Sequence, residues 1–245
     1  KIGFPYGAQT LYSSNSNLFA FIQPIIRKLD PVSGKPLFEI RQPNLKAMDF
    51  AQSLNMLVTV SKRSDRSAVL QFWSNNGGAL ARSTMLLGKF KSPWKVTVHP
   101  SSGEVAVVQD NLMKVHKFEL SKPSLSLSIS SVLGVMPSFH FLSNAARAVR
   151  LRAGKPAALE VLNLKKKDPE KEPVFSLLHE SMYNQLLSVS KDCSTVAVSG
   201  LLTRIYIEQE DKLKELFTGK LEGIPRHFAL NTTGDLLWMG SAVYE

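Results

Sequence analysis

Four basic residues, Arg147, Arg150, Arg152 and Lys155, fall within nine positions. The planar fork of an arginine matches pairs of phosphate or carboxylate oxygens, so arginines at this density suit bidentate phosphate contact. In an extended segment Arg150 and Arg152 share one side of the strand. Lys165, Lys166 and Lys167 follow in a row, trailed by Asp168-Pro169-Glu170-Lys171-Glu172. That mixture of signs reads as a solvated loop. Lys62, Arg63 and Arg66, then Lys89, Lys91 and Lys95, add positive charge elsewhere. Basic loops repeated along one rim would hold a polyanion by its phosphates without reading its sequence. Aromatic residues are not interleaved with them, so stacking on single-stranded bases is not expected.

Other chemistries find less support. The five histidines are His99, His116, His140, His179 and His227. Three of them, His99, His140 and His227, lie on or beside first strands of different repeats and could in principle converge on a metal. His99, however, precedes Pro100 in a turn, and the other two fall at different strand heights, so neither metal nor cofactor is expected. There is no Gly-x-Ser-x-Gly elbow. Gly77-Gly78 is a lone pair that reads as a hairpin turn, not a phosphate loop. The carboxylates of Glu208-Gln209-Glu210-Asp211 read as a solvated hairpin tip, not as an acid–base pair. Asn231-Thr232-Thr233 matches a glycosylation sequon, which chance explains in a chain that reads as intracellular. An enzyme is not expected.

The balance of charge narrows the partners. With 30 Lys and Arg against 20 Asp and Glu, the net charge is +10. That excess points to a polyanionic neighbour: RNA, a ribonucleoprotein or an acidic protein surface. Cys193 is the single cysteine, so no disulfide can form within the chain, and a reducing cytoplasmic or nuclear compartment is expected. No apolar run is long enough to span a membrane.

A repeated turn must position these residues. Each of six copies has an apolar anchor, a small or turn residue five places on, and an apolar pair after one more residue. The anchors are Leu11, Phe50, Val98, Phe141, Val189 and Ala229, separated by 39, 48, 43, 48 and 40 residues. A period near 40–45 residues made of short strands and turns predicts β-propeller blades. The second blade reads as strands over Lys46–Phe50, Met56–Val60, Val69–Trp73 and Ser83–Leu87, and the next three blades repeat that rhythm. The first begins near Leu11 and uses Ile25–Leu29 and Leu37–Ile40. The sixth opens with Arg226–Leu230 and Asp235–Met239 and lacks its two outer strands. Ser176–Leu187 has the best helical pattern, but Pro173 and the flanking strands disfavour a helix. The reading is therefore all-β, one propeller domain or a fragment of one over residues 1–245. Its blades lie near 8–43, 44–91, 92–133, 134–181, 182–222 and 223–245, the last incomplete. About five and a half blades do not close a ring, so a parent ring of about seven or more is expected.

The layout resembles a divergent WD-repeat propeller over about residues 8–245. Phe50–Asn55, His99-Pro100-Ser101-Ser102-Gly103 and Leu230-Asn231-Thr232-Thr233-Gly234-Asp235 carry the resemblance. Trp73 falls where such repeats place a tryptophan, and Leu29, Phe118, Leu162 and Ile207 fall near that place. The order of Trp94–Phe118 and Ser138–Leu164 is similar to the propeller of eukaryotic translation initiation factor 2A, which implies contact with the small ribosomal subunit. The start, Gly3-Phe4-Pro5-Tyr6-Gly7-Ala8, is similar to the exchange-factor propeller that activates the small GTPase of secretory coats. Its glycine-rich loop is replaced here by Phe21-Ile22-Gln23-Pro24. The expected role is a non-enzymatic scaffold in a ribonucleoprotein or translation-related assembly. Arg147, Arg150, Arg152, Lys155, Lys165, Lys166 and Lys167 are its candidate phosphate or RNA contacts. The alternative is a protein-only scaffold in trafficking, ciliary or nuclear complexes.

Overall fold

The computed structural model describes residues 10–14, 17–63, 67–86, 94–109, 112–120, 122–128, 139–152, 157–165, 171–177, 186–199, 202–210, 212–220, 228–231, 233–239 and 242–244. All of its regular elements are β-strands. The first sheet holds β1 (Thr10–Ser14), β2 (Asn17–Ile22), β3 (Ile25–Leu29) and β4 (Pro36–Arg41). The second holds β5 (Leu45–Ala51), β6 (Met56–Lys62), β7 (Ala68–Ser74) and β8 (Leu80–Leu86). In the third are β9 (Trp94–Val98), β10 (Val105–Gln109), β11 (Leu112–His116) and β12 (Leu125–Ser128). In the fourth are β13 (Phe139–Phe141), β14 (Arg147–Arg152), β15 (Ala157–Asn163) and β16 (Lys171–Leu177). The fifth consists of β17 (Leu186–Val189), β18 (Thr195–Ser199), β19 (Thr203–Gln209) and β20 (Lys212–Gly219). A sixth sheet has β21 (Phe228–Leu230), β22 (Leu237–Met239) and β23 (Ala242–Tyr244). Each sheet is a meander in chain order, one blade per repeat. The sixth blade carries a third strand where the sequence pattern showed only two. Of the stretch Ser176–Leu187, both ends lie in strands β16 and β17, and residues 178–185 lie outside the described residues.

The chain forms two compact units, residues 1–109 with 114–126, and residues 110–113 with 127–245. In the first, Val58, Val60, Leu70 and Phe72 of the second blade pack against Val96, Val98, Val105 and Val107 of the third. Phe50, Leu57 and Trp73, on the opposite face of the second blade, pack against Phe19, Phe21, Ile26 and Ile40 of the first. In the second unit Val149, Leu159 and Val161 of the fourth blade meet Val196, Val198 and Tyr206 of the fifth. Alternating residues of one strand thus serve two neighbouring blades, which is why middle strands such as β18 are buried along their whole length.

The pairing corrects the repeat at both ends. Phe50 faces Leu57, Val98 faces Val105, and Val189 faces Val196. The residue that keeps this register in the sixth blade is Leu230, opposite Leu237, and not Ala229. Leu230 packs on a buried cluster, whereas Ala229 is exposed. In the first blade the hairpin is tighter, Ser14 facing Asn17, so Ser13 opposite Leu18 takes the anchor's place instead of Leu11. A slip of one residue moves every side chain to the other face, which fixes these assignments. The turn residues differ in kind. Asn55, Gly103 and Gly234 have positive φ as the repeat requires, but in the fifth blade the left-handed residue is Cys193 (φ 64), not Ser194. Gly77 and Gly78, with φ of 91 and 71, make the expected hairpin turn.

Candidate interaction surface

The arginines are used inside the fold. Arg150 on β14 lies opposite Glu160 on β15. Its Nε donates to Glu160 Oε2 at 2.8 Å, and its Nη2 stands 2.7 Å from the same oxygen. The two side chains are only 4% and 3% exposed. Both nitrogens converge on one oxygen, so Nε takes the linear hydrogen bond and Nη2 adds mainly charge. Arg147 Nη1 donates to Glu208 Oε1 at 2.6 Å, with side chains 13% and 5% exposed. Glu208 also accepts from the backbone N–H and the hydroxyl of Ser143. These contacts correct two readings. Arg150 is withdrawn from any external phosphate by a buried carboxylate, and Glu208 is not part of a solvated tip. A charge can be held at such low exposure only when it is paired and hydrogen bonded.

Lys165 is exposed, in the turn after β15, its backbone N–H bonded to Asn163 Oδ1. The side chain of Arg152 and residues Lys155, Lys166 and Lys167 lie outside the described set, as do Arg66, Lys89, Lys91, His179 and His227. Of the first cluster the structure thus brings Arg147 and Arg150 onto one strand and gives each its own carboxylate.

Several other titratable groups lie in turns or are buried. His99 accepts the Ser102 N–H at Nδ1 (3.0 Å) and closes its turn. His116 is buried, and neither ring nitrogen has a partner among the described residues. Burial, then the nearby Lys114, hold it down at about 4. Lys95, beside Asp49, is lowered by burial to about 8, the Asp49 charge opposing the shift. Asn231 Oδ1 accepts the N–H groups of Gly234 and Leu236, so the sequon asparagine is engaged in its own turn. Among the described residues no cluster of His, Cys, Asp or Glu could hold a metal ion.

Sequence reasoning missed a different surface, the outer strand of the fifth blade. Nearly every residue of β20 is exposed. Leu216 is 66% and Phe217 39% exposed. Leu216 is the extra residue of a bulge, since Ile205 faces Phe217 and Tyr206 faces Glu215. Residues opposite one another share a face, so Lys212, Lys214 and Phe217 lie with Gln209, Ile207 and Ile205 on the side turned to the sixth blade. Glu215 lies on the other side, within 3.4 Å of the Tyr206 hydroxyl. The repeating anchors carried no signal for this, because they mark first and second strands and leave the fourth unread.

Comparison with known proteins supports the architecture. Neither a family model nor a curated protein sequence matches the chain. The WD40 domain of coronin from Toxoplasma gondii is similar in structure, with a TM-score of 0.70 and 10% identity over 94% of this chain and 65% of that one. The β-propeller domain of Cps50 (Swd1) from Myceliophteria thermophila gives 0.68 and 11% identity over 98% of this chain and 80% of that one. The chain has the architecture of a WD40-type β-propeller. It spans less than two thirds of the coronin domain's length. In this register Trp73 and Tyr206 occupy one place, opposite Leu57 and Val196. The expected Leu29 and Leu162 belong there too, opposite Leu18 and Ala148, whereas Ile207 stands one residue beyond it. Trp73 Nε1 donates to Thr59 Oγ1 at 2.9 Å. No helix among the described residues is long and apolar enough to cross a membrane.

Proposed function

We propose that this propeller is a non-enzymatic interaction platform docked within a ribonucleoprotein, in a ribosome- or translation-related assembly of the cytoplasm or nucleus. The observation that carries the reading is the net charge of +10, combined with the internal use of Arg147 and Arg150. With those two charges neutralised by carboxylates, the excess falls on exposed side chains such as Lys35, Lys46, Lys122 and Lys165. Exposed lysines act as point charges that contact phosphates without base selectivity. The resemblance of Trp94–Phe118 and Ser138–Leu164 to the translation factor's propeller supports the setting. Partners are then other proteins of the complex and structured rRNA.

The test is binding of structured rRNA fragments across a salt series, for the native chain and a Lys165→Glu/Lys166→Glu/Lys167→Glu variant. Arg147 and Arg150 are unsuitable probes, since their loss would unpair buried carboxylates. The expected result is steep salt dependence, with the slope reduced by about one for each phosphate that the variant no longer neutralises. Absence of binding at low salt overturns the reading. A protein-only platform in trafficking, ciliary or nuclear complexes is then favoured by exposed Leu216 and Phe217.

A further inference from the structure

In a meander of four antiparallel strands, the second-to-third turn and the link to the next blade lie at one end of the sheet. The other two turns lie at the opposite end. Within the first unit these ends differ in charge. Where the first-to-second and third-to-fourth turns lie, Asp30, Glu104 and Glu119 mingle with Lys35, Lys117 and Lys122. Val32, Leu37, Leu80 and Leu120, this unit's exposed large apolar side chains among the described residues, lie at or beside those turns too. The opposite end of the first two blades carries Arg41, Lys46 and Arg63, all exposed, and its described turns hold no carboxylate. The nearest one along the chain, Glu39, is taken by Arg27 at 2.6 Å. Three local features bring these cations together. Gln42 is buried, its N–H bonded to the Pro24 carbonyl at 2.7 Å and its amide donating to Gln71 Oε1 at 2.6 Å. Asn44 is left-handed (φ 58), and its carbonyl accepts the Lys62 N–H at 3.1 Å, which ties the turn beginning at Arg63 to the link between blades. Lys46 is the extra residue of a bulge, since Leu45 faces Ser61 and Ala47 faces Val60. A bulge re-aims a side chain, and Lys46 is exposed between two half-buried neighbours. Three extended residues span at most about 11 Å, so the Cα atoms of all three cations lie within about that distance of the Asn44–Lys62 bond.

We propose that Arg41, Lys46 and Arg63, at the joint of the first and second blades, form a site for the phosphate backbone of RNA. Each arginine offers a fork to two phosphate oxygens, and the lysine adds a point charge. The exposed amide of Asn44, between them, is a neutral donor of the kind that reaches phosphate and sugar oxygens. An acidic protein fits this end less well, because a protein interface is built on a buried apolar core, and the exposed large apolar side chains lie at the other end. Without rings among the cations, the contact positions the backbone and does not read bases. The proposal rests on the ribonucleoprotein reading and gives that reading a location in the first unit.

The experiment uses the full 245-residue chain and a fluorescein-labelled RNA hairpin, with binding read by anisotropy across a salt series. Arg41→Gln/Lys46→Gln/Arg63→Gln is compared with Lys35→Gln/Lys117→Gln/Lys122→Gln, which removes the same formal charge from the other end. The first variant should lose tenfold or more in affinity and lower the salt slope by about two to three, whereas the second should lose much less. Arg41→Lys/Arg63→Lys keeps the charge and should keep the slope. In the native chain, RNA should slow hydrogen exchange across residues 41–46 and at Arg63, a readout that needs no variant to fold. Equal losses in the two Gln variants would mean that net charge alone binds RNA, and would overturn the proposal. So would an unchanged slope in the first variant, unchanged exchange at the link, or polyglutamate displacing the hairpin at equal charge, which would reassign the site to an acidic protein. RNA binding by the native chain that is indifferent to the first variant removes this site and leaves the ribonucleoprotein reading. Absence of RNA binding by the native chain removes both.

Discussion

The second and fifth blades solve one problem with opposite chemistry. In both, the residue two past the shared Trp73 and Tyr206 place donates its N–H to the first hairpin of its own blade, Asn75 to Asn55 and Glu208 to Ser194. In both, its side chain reaches back to the residue that opens the second strand of the preceding blade. Asn75 Nδ2 donates to Asn17 Oδ1 at 2.9 Å, whereas Glu208 Oε1 accepts from Arg147 at 2.6 Å. One joint is a neutral amide pair and the other an ion pair. The same place can therefore be filled by either polarity, provided both members change together. The fourth blade repeats the contrast: its Arg150–Glu160 pair occupies the positions that hold Thr59 and Gln71 in the second.

The largest expected effect separates these two joints. Glu208→Ala leaves Arg147 mostly buried without its carboxylate and removes the oxygen that accepts from both the N–H and the hydroxyl of Ser143. It should cost about 3–5 kcal/mol. Asn75→Ala removes a neutral donor that bridges Asn17 and Asn55, and should cost about 1–3 kcal/mol. Part of that cost is offset, since Asn75 Oδ1 has no partner among the described residues. Urea denaturation of both variants checks the order. Equal losses would show that charge makes no difference at this place. Replacing Arg147 and Glu208 together with Met and Leu should recover most of the loss, because the cost lies in the orphaned charge.

A second comparison concerns the first strands. Asp49 Oδ2 accepts the Val98 N–H of the next blade at 2.8 Å, and Ser188 Oγ accepts the Leu230 N–H of the next blade at 3.0 Å. Asp49 and Ser188 each precede their anchor, and Val98 and Leu230 are anchors, so this is one stitch made twice. Hydrogen bonds to charged groups are the stronger kind. Asp49→Ala should cost about 1.5–3 kcal/mol and Ser188→Ala about 0.5–1.5 kcal/mol. Asp49→Asn has a further signature. The Asp49 charge supports protonation of Lys95, so its removal should lower the lysine further below about 8, as followed by NMR titration of Lys95.

Some of this was legible in the residues and some was not. Alternating apolar strands placed β5, β6 and β7 within two residues, because that feature acts over a few positions, whereas β8 begins at Leu80, three residues before the expected Ser83. The anchors at the ends failed for a local reason: Ala229 and Leu230 are both apolar, and only pairing opposite Leu237 tells them apart. The arginines misled for a distant one. Arg147 finds its carboxylate 61 residues away on another blade, and nothing near it in sequence announces Glu208. The acidic run containing Glu208 looked solvated because its neighbours Gln209 and Glu210 are exposed. Phe217 was hidden within a plausible strand, since an apolar residue on an outer strand reads the same whether exposed or covered.

The smallest expected effect contrasts two buried histidines. His99 has a ring nitrogen in a turn bond, whereas His116 has neither ring nitrogen bonded among the described residues. The folded protein holds His116 neutral down to about 4, while an unfolded chain protonates it near the ordinary histidine value of 6.5. Between those two values the unfolded state binds more protons, so stability must fall as pH is lowered through that window. At pH 5.5 the loss from this residue should be about 1 kcal/mol relative to neutral pH. His116→Leu removes both the titration and two unsatisfied polar atoms at similar volume. It should leave stability at pH 7.5 unchanged or slightly raised, and flatten the decline between pH 6.5 and 4.5 in denaturation midpoints. His99→Leu should instead destabilise by about 1 kcal/mol at pH 7.5, since it deprives the Ser102 N–H of its acceptor. An unchanged pH slope in His116→Leu would show that His116 does not set the acid sensitivity of this fold.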